Sequence, residues 1–216
     1  MKGLERWSAC AGPLAVALWI LGLVVTNETS DKIPHHPTDA QLLAWVQGST
    51  NSILAGGWLF MLGCVAFLWF AAVLRARLVA AEGGAATFAT VAFAGAIAAA
   101  AFGMLNAAGD VGAAIDKNSI SAATAGTLHN ASNAFFVCAE LALVPFFLAT
   151  AVVALHARAL PKWWSWLAIL IAIVLVIGPI GWVAVIVGLP IWTLGTSWLL
   201  VRGGGRTAAA VAPTPA

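Results

Sequence analysis

Long runs without a charged residue constrain this chain more than any other feature. A helix needs about 20 apolar residues to cross the hydrocarbon core of a bilayer. The stretches 9–25, 52–74, 86–108 and 130–155 reach or approach that length. A fifth apolar run, 163–201, is too long for one crossing. It is broken by Gly178-Pro179-Ile180-Gly181, a turn-forming sequence, into helices at 163–178 and 182–201. Backbone groups in hydrocarbon must be hydrogen-bonded within their own segment, so such runs fold as helices. The expected fold is all-α: a polytopic transmembrane helical bundle. It forms a single domain over 1–202 with six spans and both termini cytoplasmic, and 203–216 is a disordered, low-complexity cytoplasmic tail.

Composition points the same way. The chain is 62% hydrophobic and 8% charged, against roughly 45–50% and 25% in soluble domains. Lys2 and Arg6 ahead of an apolar stretch resemble a secretory signal. Thr26-Asn27-Glu28 lacks a small-x-small cleavage pattern, however, so a retained first helix is expected. With both ends cytoplasmic, Lys2, Arg6, Arg75, Arg77, Arg158, Lys162, Arg202 and Arg206 lie inside, and only Lys32 and Lys117 outside. This satisfies the positive-inside rule for a multi-pass protein of the plasma (inner) membrane. The basic residues flank spans and form no run, so the lipid bilayer, and not nucleic acid, is the expected partner. Homo- or hetero-oligomers are both compatible with the sequence.

Several local signals add detail. Thr38 is the expected N-cap of a short interfacial helix, with Gln41 completing a capping box. Gly95, Ala99 and Gly103 recur every four positions and predict a central third span that a neighbour approaches closely. Trp7, Trp163, Trp164, Trp166 and Trp182 fall near span ends, as an aromatic interface belt requires, whereas Trp69 and Trp192 lie deeper. Cys10, Cys64 and Cys138 have no CxxC spacing and are expected to pack as small apolar groups. Val73-Leu74-Arg75-Ala76-Arg77 matches Ala154-Leu155-His156-Ala157-Arg158, which suggests two related hairpins offset by 81 residues.

Glu140 is the one acid deep inside an apolar span. At 100° per residue, His129, Asn133, Phe136, Glu140, Phe147 and Arg158 fall within about 20–40° of one another on one helix face. Low dielectric favours the neutral acid, and an intramembrane carboxyl that exchanges a proton is the minimum for a proton relay or cation site. Pro145 leaves the carbonyl of Leu141 without its helical donor, close to that acid. His129, Asn133, Asn106 and Asp110 map to outer helix ends and would line a polar vestibule above Glu140. The same carboxyl could instead bond a neighbouring helix and act only as structural glue. His35 and His36 are weak metal-ligand candidates; no HxxH or HExxH spacing accompanies them, and neither metal nor other cofactor is expected.

Other chemistries lack their residues. No lysine lies within a span for a retinal Schiff base, and His129 and His156 sit on opposite sides for a bis-histidine haem. Gly195-Thr196-Ser197 has no histidine at its depth. No Walker loop or paired Asp-rich motif occurs.

LWFAAVLRARLVAAEGG, LHNASNAFF, LPKWWSW and IGPIGW resemble a bacterial, chiefly actinobacterial, family of small multi-spanning membrane proteins of unknown function. The resemblance covers most of the chain between Leu14 and Arg202 and implies a helical inner-membrane protein without implying an activity. The leading expectation is a non-enzymatic protein that binds or passes a small hydrophobic ligand or an ion, or supports a membrane complex. An intramembrane lipid or isoprenoid isomerase or cyclase with Glu140 as acid/base is the first alternative. A purely structural subunit is the second.

Overall fold

The computed structural model describes residues 10–30, 34 and 36–209, with side chains for 10–27, 34 and 36–202. Lys2, Arg6, Trp7, Lys32 and His35, and the side chain of Arg206, lie outside the described part. Seven helices account for most of it: α1 (Ala11–Ser30), α2 (Asp39–Gly48), α3 (Thr50–Glu82), α4 (Thr87–Ile115), α5 (Ala122–Ala157), α6 (Lys162–Val176) and α7 (Leu189–Ala209). No strand occurs among the described residues. Among the described residues, four segments are long and apolar enough to cross a membrane: α3, α4, α5 and Gly178–Arg202; α1 and α6 are shorter apolar helices. The protein is therefore a helical bundle suited to a membrane.

Helix ends are set by polar contacts that extend the helices beyond their apolar cores. Thr38 caps α2 as expected: Gln41 N donates to Thr38 Oγ1, and Thr38 N donates to Gln41 Oε1 at 2.9 Å. Ser121 Oγ accepts from Thr124 N at 3.1 Å and starts α5 eight residues before the expected span at 130. The Glu82 carboxylate accepts from Phe88 N and Ala89 N, at 2.9 and 2.8 Å, and so serves the exposed N–H groups at the start of α4. α5 runs through Pro145 without interruption. α7 remains helical to Ala209, past the expected boundary of a disordered tail at 203, and Arg206 to Ala209 include good helix formers.

Two hairpins form the main body: α1 against α3, and α4 against α5. Each is closed by a glycine pressed on the partner's backbone. A Cβ on Gly22 would lie 2.8 Å from Gly56 O and 2.9 Å from Phe60 N; one on Gly95 would lie 2.8 Å from Ala142 O and 2.9 Å from Phe146 N. The two hairpins share this packing device, but Phe60 and Phe146 are 86 positions apart, not 81, so the expected register does not carry over. α4 also meets α3, with Gly103 against Cys64. This confirms a central, small-residue helix.

The last hairpin folds back on itself beside α5. Trp164 Nε1, in the first turn of α6, donates to Thr196 Oγ1 of α7 at 2.8 Å. Trp164 is buried, so it belongs to the core and not to the interface belt where the sequence placed it, because a hydroxyl on α7 satisfies its indole. Trp163, Trp166 and Trp182 are exposed. Between the arms lie a 3-10 turn (Gly178–Ile180), one α-turn (Gly181–Val183) and a π-turn (Ala184–Gly188). Trp192 is completely buried, with ring centroids 6.4, 5.6 and 5.2 Å from Phe70, Phe146 and Phe147.

Candidate functional site

The turn between α6 and α7 brings the unusual acid and the broken helix together. Glu140 is the nineteenth of the 36 residues of α5 and is 5% exposed. A Cβ on Gly181 would stand 3.1 Å from Glu140 Oε2 and 3.1 Å from Leu175 O, so the turn sits directly on the carboxyl and a side chain there would press on it. Among the described residues Glu140 has no hydrogen-bond or ion-pair partner. The carboxyl thus meets the C-terminal end of α6, where helix carbonyls lose their partners.

The hairpin stops at that level. Seven residues toward the start of α5, about 10 Å away, Asn133 lies on nearly the same helix face and is exposed. Arg158 lies 18 residues the other way, about 27 Å along the helix. The face carrying Glu140 is therefore covered on one side of the acid and open on the other.

His129, Asp110 and Asn106 form a separate group. His129 Nδ1 and Asp110 Oδ1 are 3.0 Å apart, and the His129 ring meets Trp45 edge-on at 6.1 Å. Asn106 Nδ2 donates to Ser132 O at 2.9 Å, tying α4 to α5. Asn106 and Asp110 line a cavity of about 120 Å³ with Gly22, Thr26, Asn27 and Phe60. Leu23, Asn27, Phe60 and Asn106 also line a larger cavity, about 290 Å³, which continues between α1, α3, α4 and α5 to Leu189 and Pro190. Its walls include Trp19, Cys64, Phe67, Gly103, Phe136 and Leu143.

Of the four residues expected to line a vestibule, Asn106 and Asp110 line the smaller cavity, while His129 and Asn133 line neither cavity. Asn106 is shared with the apolar chamber, and Glu140 is not among the residues lining that chamber. Asn133 joins neither group. The sequence pattern missed the chamber because its wall residues, Trp19, Phe60 and Phe67 among them, look like ordinary apolar packing. No disulfide joins the three cysteines, and Cys64 is buried while Cys138 is half-buried. His36 is exposed, and no group of three metal-ligating side chains occurs among the described residues.

Compared with known protein families, characterised proteins and solved structures, the chain matches none, so the reading of this site rests on its own geometry.

Proposed function

We propose that this protein binds or passes a small, largely apolar molecule with one polar end across the plasma membrane, without chemical conversion. The observation that carries this reading is the chamber of about 290 Å³, at the lower end of the roughly 300–1,000 Å³ of ligand pockets. Its walls are apolar, and Asn27 and Asn106 mark its polar end. Enzymatic turnover is less favoured, since the cavity walls offer two amides, a thiol and an indole but no carboxyl or histidine. The family resemblance noted above agrees with a membrane location and adds no activity.

In this reading six helices cross or nearly cross, with both termini on the basic, cytoplasmic side. The α6–α7 turn stands about 27 Å above Arg158, just short of the roughly 30 Å hydrocarbon thickness. Glu140 then faces the outer leaflet beneath the open face marked by Asn133. A second role follows from its place beside a broken helix: reversible binding of a proton or monovalent cation that couples to the chamber across α5.

Cys64 provides the test. In a Cys10→Ser/Cys138→Ser background, a photoreactive medium-chain alcohol should label the chamber walls and slow alkylation of Cys64 by a membrane-permeant maleimide. Ala100→Phe, which fills the chamber, should abolish labelling. Labelling unchanged by Ala100→Phe in folded protein refutes chamber binding. For Glu140, Glu140→Gln should retain the fold and chamber labelling while losing pH-gradient-dependent flux in proteoliposomes. Flux at the parent's level in both Glu140→Gln and Glu140→Ala would refute the proton or cation role.

A further inference from the structure

At the end of the molecule opposite Asp110 and His129 lies a cavity of about 980 Å³ lined by Arg77, Arg158, Lys162 and Arg202. None of these four cations has an ion pair, and no acid lines the cavity among the described residues. Glu82, the acid that ends α3, is engaged instead by the N–H groups of α4. With no counter-ion among the described residues, four like charges facing one space repel one another, and an anion relieves that repulsion.

Two further features point to the same chemistry. Arg158 ends α5 in the left-handed conformation, φ 53°, a position that glycine occupies at less cost. A cation is kept there despite the strain. α6 begins at Lys162 with no side-chain cap, so its first N–H groups and the positive end of its dipole face the same region. The remaining walls are apolar: Leu74, Leu78, Leu160 and Leu199 among them, with Trp198 carrying the Arg202 guanidinium at 3.8 Å above its ring.

We infer that this cavity holds the phosphate of an anionic phospholipid from the basic-side leaflet, with its acyl chains along the leucine walls. The apolar walls distinguish it from a site for a free soluble anion, which would gain nothing from them. Basic pockets between membrane helices on the cytoplasmic side characteristically take anionic headgroups.

The full chain, purified in mild detergent, is titrated with phosphatidylglycerol or phosphatidylcholine and the bound lipid counted by native mass spectrometry. Phosphatidylglycerol is expected to bind at least tenfold tighter. Each cation removed should weaken it about fivefold, so Arg158→Gln/Lys162→Gln should lose about 25-fold. Arg75→Gln removes a cation that lies outside the cavity and rests over Phe93, and should leave affinity unchanged. Single variants Arg77→Gln and Arg202→Gln keep the test open if the double variant does not fold. Equal binding of the two lipids, or an equal loss in Arg75→Gln, overturns the site. Full displacement by millimolar inorganic phosphate overturns the lipid assignment in favour of a soluble anion.

Discussion

Replacing Gly95 by alanine tests the central helix contact directly. A methyl at Gly95 would sit 2.8 Å from Ala142 O and 2.9 Å from Phe146 N. Both are backbone atoms of α5, so no side chain can rotate away. Ordinary carbon contacts begin near 3.5 Å, so α4 and α5 must separate by about half an ångström. A gap of that size forfeits about a quarter of the dispersion energy of the atoms facing it. At about 0.1–0.2 kcal/mol for each of some 50 atom pairs, the loss comes to about 1–3 kcal/mol, in the range of measured overpacking costs. Gly112 lies on the same helix, and a Cβ there meets nothing within 4 Å. Gly112→Ala should therefore be neutral or stabilise by up to about 1 kcal/mol through helix propensity. Reversible unfolding of both variants in mixed micelles, titrated with a denaturing detergent, gives the comparison. Gly95→Ala within about 0.3 kcal/mol of the parent, or Gly112→Ala destabilised as much as Gly95→Ala, would refute the close-contact argument.

Other outcomes follow from single contacts. Trp164→Phe should lose about 1–2 kcal/mol by orphaning the buried Thr196 hydroxyl, and in a double-mutant cycle with Thr196→Val the two losses should be non-additive, the second substitution costing little once the first is made; additive effects would show that the 2.8 Å bond contributes nothing. Thr38→Ala should cost about 1 kcal/mol and raise amide exchange in α2 while exchange in α4 stays fixed. Ile53→Ala, at a fully buried site on α3, should cost about 2–5 kcal/mol by the same unfolding assay, and a smaller loss would mean that this end of the bundle, where Trp45 and Val46 pack, is loosely packed.

The fold was largely legible because its strongest signals are local. The uncharged runs locate the long helices, Thr38 and Gln41 announce α2, Gly95 and Gly103 announce the crowded α4, and Gly178 to Gly181 announce the turn. What the sequence could not convey is which helix faces meet. In water an apolar stripe marks the buried side, but here lipid-facing positions are as apolar as core positions. Leu141 is exposed and Leu143 is buried on the same helix, two residues apart, and residue type does not separate them. The candidate site divides the same way. Helical periodicity correctly aligned Asn133 with Glu140 but could not reveal that α6 and α7 cover only one of them. The pairing of His129 with Asp110 depends on how two consecutive helices turn toward each other, and the chamber beneath Asn106 on contacts between helices far apart in sequence.

The socket of Trp192 sets an order on assembly. Its three ring partners, Phe70, Phe146 and Phe147, all precede it in the chain by at least 45 residues. Synthesis from the N-terminus therefore delivers the receptacle before the piece that fills it. The same stretch carries Thr193, Thr196 and Ser197, all buried hydroxyl residues. Emerging ahead of its partners, such a segment would offer these groups to lipid; emerging last, it meets a surface already shaped to cover them. The direction of translation and the dependence of the parts run the same way: the helices that form the socket are made before the residue that fills it.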